Sequence, residues 1–130
     1  MAKRKALIVA VSVAHFLAAI ILLARTGAVM SVIQSPALSP ESVRMIWIQT
    51  AILSVPALLL LVGVVGLWLA RPWGWMAAAL ADAILVGLVI GDWLLGGQRV
   101  DHVPVLAILV VLLLPFLVPH VRALLTSTPD

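Results

Sequence analysis

The sequence predicts an all-α integral membrane four-helix bundle, with four transmembrane helices and both termini cytoplasmic. Three observations predict it. Of the 130 residues, 65% are hydrophobic and only 10% are charged, where a soluble domain carries about 25% charged residues. The apolar residues gather into four runs of about 20, the length a helix needs to cross about 30 Å of hydrocarbon. Most of the charges and tryptophans stand at the ends of these runs. A soluble monomer of this size buries only about two thirds of its surface, so such a composition would coat it in apolar side chains. The mean hydropathy of +1.28 agrees, and the whole chain reads as a single transmembrane domain.

The first span runs from Ala6 to Ala24, after the basic start Lys3-Arg4-Lys5. Its apolar stretch of 19 residues exceeds the about 7 to 15 of a secretory signal core, so a retained anchor is expected. Residues 28–33 either continue this helix or lie on the membrane surface; the sequence leaves both open. In the connection that follows, Ser39-Pro40-Glu41 reads as an N-cap, a first-turn proline and an acid matched to the helix dipole. The second helix is therefore expected over 40–70, about 45 Å long, with Met45 to Ala70 in the bilayer and a kink point at Pro56. The segment Arg71-Pro72-Trp73-Gly74-Trp75 reads as a tight turn. The third span, about Trp75 to Leu95, carries Asp82 and Asp92 and is flanked by tryptophans. A short turn from Gly96 to His102 leads to the fourth span, Val103 to Val121, where Pro115 and Pro119 point to a kink near its end.

Orientation follows from where the cations fall. Four spans put both termini on one side, which collects Lys3, Arg4, Lys5, Arg71 and Arg122 against Arg25, Arg44 and Arg99 on the other. That asymmetry places the termini in the cytoplasm. Trp47, Trp68, Trp73, Trp75 and Trp93, with Arg71, are the expected interfacial anchors. The sequence pI of about 10.7 does not signal nucleic-acid binding, because no basic patch with interleaved aromatics supports it.

Close helix packing in lipid needs small residues at the contacts. Ala10, Ala14 and Ala18 repeat along the first helix; Ala79, Ala83, Gly87 and Gly91 along the third; Gly63 and Gly66 lie in the second. These positions are expected to pack within the bundle, with a second copy or another protein as the alternative.

An ionisable side chain at mid-membrane costs about 2.5 to 3.5 kcal/mol on insertion scales and is a functional candidate by default. Two qualify by depth. His15 is nine residues in from Ala6, and Asp82 is seven in from Trp75. Both helices run outward, so the two lie at nearly the same depth, about 13 and 10 Å from the cytoplasmic edge. Ser12 shares the His15 face. If the pair forms, it either ties the first helix to the third or makes a site that takes and releases a proton. Asp92 is close enough to the outer end to reach water or Arg99. His102 with Asp101 reads as solvated loop, and His120 with Arg122 as the cytoplasmic end of the fourth span. Gln49, Thr50 and Ser54 line the outer half of the second helix, where hydroxyls and amides bond across helices or to their own backbone.

Much chemistry is excluded. Cysteine is absent, which removes disulfides, thiolate metal sites and thiol redox chemistry. The three histidines lie at different depths, without metal-ligand spacing, and no nucleophile elbow, P-loop or dinucleotide fingerprint occurs. No catalytic residue, metal or cofactor is therefore expected. In size and span number the chain is similar to the small multidrug resistance exporters and the dual-topology fluoride channels, but their key residues are missing. The exporters' first-helix glutamate has no counterpart, since the one glutamate is Glu41 in a loop. The channels' pore asparagine has none either, since the chain lacks asparagine and holds only Phe16 and Phe116 as phenylalanines. The leading expectation is a non-catalytic accessory, assembly or interaction subunit of the prokaryotic cytoplasmic (inner) membrane. Its partners would be membrane lipids and either further copies or a larger membrane complex. The alternative is a small oligomeric transporter or channel, proton-coupled through Asp82 and His15. A lipid- or quinone-binding role along the Trp-rich rim ranks third.

Overall fold

Helix α1 takes 31 residues, Ala2–Val32, in the computed structural model, which describes residues 2–33, 37–69, 71–95 and 102–126. It outruns the predicted span at both ends and settles the alternative left open above: residues 28–32 continue the helix. Helix α2, Pro40–Trp68, starts where its capping sequence places it. The Ser42 backbone N–H donates to Ser39 Oγ at 3.2 Å, with Pro40 in the first turn, where a missing N–H costs nothing, and Glu41 beside the positive end of the dipole. Pro56 is buried inside this helix.

Helix α3, Pro72–Leu94, begins three residues before the predicted start. Pro72 to Trp75 are its first turn, not a loop, because a proline at the first helical position has its φ already set and needs no acceptor. Arg71 is the extended N-cap, and its backbone N–H reaches back to Gly66 O at 2.9 Å. The predicted fourth span is two helices, α4 at His102–Leu117 and α5 at Pro119–Thr126. The break falls at Val118, the residue before Pro119, which the proline ring pushes out of helical conformation. His102 thus opens α4 instead of belonging to a loop. Arg99 and Asp101, and the turn from residue 96, lie outside the described residues.

Three helices, α1, α2 and α3, are long and apolar enough to cross a membrane. Helix α4 is equally apolar but has 16 residues, about 24 Å. The tryptophan spacing on α2 and α3 is consistent with a membrane span. Trp47 and Trp68 stand 21 residues apart on α2, and Trp73 and Trp93 stand 20 apart on α3. Both separations are about 30 Å, the hydrocarbon thickness. Between these belts, apart from Gln49 and Asp92 close to the belt of Trp47 and Trp93, the described outward side chains are apolar, as with Leu17 and Ile21 on α1, Leu58 and Val65 on α2, and Leu80 on α3. Lipid is the solvent that suits such a surface.

Helix α2 packs between α1 and α3, and α4 lies against α3 with a lighter touch on α1. The α2–α3 crossing is the tightest place in the bundle. Gly66 and Gly74 face each other so closely that a Cβ on either would run into the other's backbone. One turn further in, a Cβ on Gly63 would stand 2.8 Å from the Ala78 nitrogen and 2.9 Å from the Ala78 Cβ. Gly74 therefore serves close approach, not the flexibility of a turn.

The alanine and glycine ladders lie at the edge of this packing: Ala79 packs against the cluster around Val11 and Ala78, and Ala18 against that around Ala19 and Leu60. On α3 the inward face is Gly74, Ala78, Ala81, Asp82 and Leu85. Ala83 and Gly87 are exposed and Gly91 is half-buried, and a Cβ on Gly87 or Gly91 meets nothing within 4 Å. On α1 the inward residues are Val11, Ser12, His15 and Ala19; Ala10 is exposed, while Ala14 and Ala18 are half-buried. The buried faces are thus centred about one position from the ladders, and Ala18 and Ala79 belong to both. Lipid accepts Ala and Gly without penalty, so smallness does not orient a helix, whereas a mid-membrane His or Asp must turn inward.

The two glycine sets separate in a denaturation experiment. Gly74→Ala is expected to destabilise the bundle by about 1–3 kcal/mol through overpacking. Gly87→Ala should leave it unchanged or slightly more stable, since alanine is the better helix former. Sodium dodecyl sulfate titration in mixed micelles, followed by circular dichroism, reads both.

Candidate functional site

At the centre of the bundle His15 and Asp82 meet. Their side chains are 1% and 0% exposed, and His15 Nε2 stands 2.8 Å from Asp82 Oδ2. The other ring nitrogen, Nδ1, lies 2.7 Å from Val11 O, one turn back on α1. A carbonyl oxygen only accepts, so Nδ1 carries a proton and donates it to Val11. One further proton then lies between Nε2 and Oδ2. Written as imidazolium with carboxylate or as imidazole with carboxylic acid, the pair has no net charge. That neutrality avoids the cost of a lone charge at mid-membrane.

The surroundings are apolar on both sides along the bundle. Towards the amino-terminal end, Val11, Leu67, Ala78 and Phe116 form one buried cluster. Towards the other end, Ala19, Leu60, Ala81, Leu85 and Leu109 form a second. His15 lies one turn from Val11 and one from Ala19, and Asp82 lies between Ala78 and Leu85, so the pair occupies the junction. The Phe116 ring meets the imidazole edge-on, with centroids 5.3 Å apart and planes at 67°, a favourable aromatic geometry. In a low-dielectric site of this kind a satisfied hydrogen bond is strengthened and an unsatisfied group is costly.

Two buried polar atoms in the same region, Asp82 Oδ1 and Ser12 Oγ, have no hydrogen-bond partner among the described residues. Ser12 is fully buried on the His15 face of α1, as its spacing predicts. Further out, Thr50 Oγ1 and Thr26 Oγ1 also lack partners, and Ser54 Oγ donates back to Thr50 O at 2.7 Å within α2. Gln49 and Asp92 are exposed, as is His120 at the opposite end. Among the described residues no three His, Cys, Asp or Glu side chains come together.

The anchors fall into two groups. Trp68, Trp73 and Arg71 are exposed and Trp75 half-buried at one end; Trp47 and Trp93 are exposed at the other. Three contributors escaped the sequence reading: Phe116 on the histidine ring, the Val11 carbonyl that fixes the tautomer, and the Gly66–Gly74 contact. Only the last left a signal. Gly66 and Gly74 stand four residues either side of position 70, the symmetry that brings residues opposite in an antiparallel hairpin.

No family model matches this chain, no curated protein matches it, and no solved structure matches it.

Removing either partner leaves the other buried and unsatisfied. Asp82→Ala and His15→Ala are each expected to destabilise the bundle by about 1–3 kcal/mol. The double substitution should cost clearly less than the two losses added, the mark of a coupled pair. The same detergent titration supplies all four corners of the cycle.

Proposed function

We propose that this chain is a four-span protein of the prokaryotic cytoplasmic (inner) membrane, with cytoplasmic termini. Its role is that of a non-catalytic accessory or assembly subunit, packing its outward helix faces against further copies or a larger membrane complex. Helix α4, extended past Val118 by α5, supplies the fourth crossing, and the excess of cations at the end bearing Lys3, Lys5 and Arg71 supports the orientation.

The observation that carries this reading is the outer face of α3. Ala83 and Gly87 are exposed and Gly91 is half-buried, and among the described residues nothing lies within 4 Å of a Cβ built on either glycine, so this ladder has room for a neighbour. A ladder of this kind lets a neighbouring backbone approach closely, which drives helix association where the hydrophobic effect does not. The His15–Asp82 pair supports the same reading, because it satisfies itself between two apolar clusters and has the character of a tie.

A specific observation favours a second reading, a small oligomeric transporter or channel coupled to protons. Asp82 Oδ1 and Ser12 Oγ are buried without hydrogen-bond partners among the described residues, and unsatisfied polar atoms beside an ionisable pair are where a proton or a polar solute would be handled.

Purification of the full chain in mild detergent separates the two. The first reading expects a stoichiometric partner protein or a stable oligomer, lost in Gly87→Leu while helix content and stability persist. A lone oligomer that moves protons or solute in liposomes, with the flux abolished in His15→Ala or Asp82→Ala variants that still assemble, would establish the transporter instead.

A further inference from the structure

The two ends of the bundle differ in charge. The apolar cluster that holds Val11 and Leu67 also gathers Leu7 and Ile8 of α1, Trp75 of α3 and Val121 of α5, so the residues just beyond it share one end. Lys3 and Lys5 precede Leu7 within a turn, Arg71 follows Leu67 by four residues, and His120 adjoins Val121; all four side chains are exposed. Among the described residues no acidic side chain lies at this end. The opposite end mixes exposed Arg25 and Arg44 with exposed Glu41 and Asp92. Two indoles also stand out at the basic end, Trp68 at 69% and Trp73 at 43% exposure. An indole beside cations at the edge of an apolar belt matches the level of lipid headgroups, with the ring among glycerol and upper acyl carbons and the cations reaching the phosphate.

We infer that the amino-terminal end of the bundle is a selective binding surface for anionic phospholipid headgroups, held by Lys3, Lys5 and Arg71 and flanked by Trp68 and Trp73. The inference rests on the membrane reading and is independent of the choice between accessory subunit and transporter. Cations on α1 and on the α2–α3 turn present positive charge to the same headgroup layer. Arginine adds a planar fork that matches phosphate geometry. The opposite end lacks this selectivity because, among the described residues, Glu41 and Asp92 offset Arg25 and Arg44.

The test reconstitutes the full chain in vesicles of equimolar phosphatidylcholine and phosphatidylglycerol, extracts it in mild detergent and quantifies the retained lipid by mass spectrometry. Phosphatidylglycerol should be enriched about fivefold over the bulk ratio, and the enrichment should fall as ionic strength rises. The triple variant Lys3→Gln, Lys5→Gln, Arg71→Gln should return to the bulk ratio, while Arg25→Gln, Arg44→Gln retains the enrichment. No enrichment in the native chain, or equal loss from both variants, would overturn the inference. Failure to enter vesicles of phosphatidylcholine alone would overturn the membrane reading and the inference with it.

Discussion

The hydrogen bond between His15 and Asp82 fixes how this bundle is assembled, because α1 and α3 are not neighbours. Helix α2 lies between them, and among the described residues their backbones scarcely meet. The contact at 2.8 Å crosses that diagonal through side chains alone. It sets the rotation of both helices, since neither an imidazole nor a carboxyl can face lipid at mid-membrane without a penalty of about 2.5 to 3.5 kcal/mol on insertion scales. Once Asp82 points inward, Gly74, Ala78 and Leu85 follow on the same face, and the crossing with α2 comes into register.

That crossing does what hydrophobic burial does in water. Lipid tails are as apolar as leucine, so bringing two helices together gains little from area and depends on close contact of their backbones. Gly66 against Gly74, and Gly63 against Ala78, provide it at the end of the bundle where the connection is shortest. The Arg71 N–H to Gly66 carbonyl bond closes the same corner. A short reversal, a glycine crossing and a polar tie therefore divide the work: the first two hold α2 to α3, and the third ties α1, itself packed along α2, to α3.

The sequence makes the helices and the depth of the polar pair legible, and it hides the rotation. Apolar runs, the Ser39-Pro40-Glu41 start and the tryptophan spacing depend on local chemistry and are readable residue by residue. The matching depths of His15 and Asp82 follow from helical rise alone. Which face of α3 turns inward is different, because a lipid-facing helix is apolar all round and its small residues carry no orientation. The ladder of Ala83, Gly87 and Gly91 is as regular as Gly74, Ala78, Ala81 and Leu85, and only Asp82 distinguishes the two faces. The break at Val118 had a local cause in Pro119, but two prolines four residues apart left the place of the bend undetermined. Phe116 against the histidine ring required knowing how α4 docks, which no local pattern records.

The proton count at the pair sharpens what either functional reading demands. With Nδ1 committed to Val11, one proton holds Nε2 and Oδ2 together. Taking it away leaves a lone pair facing a carboxylate, so loss of the proton and loss of the α1–α3 tie are one event. As a tie, the pair is well placed, with a buried apolar cluster on either side of it along the bundle. As a relay, it needs one of those clusters to part. Helix α4 is the element suited to that, being shorter than the first three, only lightly packed on α1, and followed by the bend at Val118. Its Phe116 lies directly on the histidine ring. Outward movement of α4 would uncover the imidazole, whereas α2 is held to α3 by contacts at the backbone itself. If the transporter reading holds, the conducting form is one in which α4 has moved; if the pair is purely structural, α4 stays.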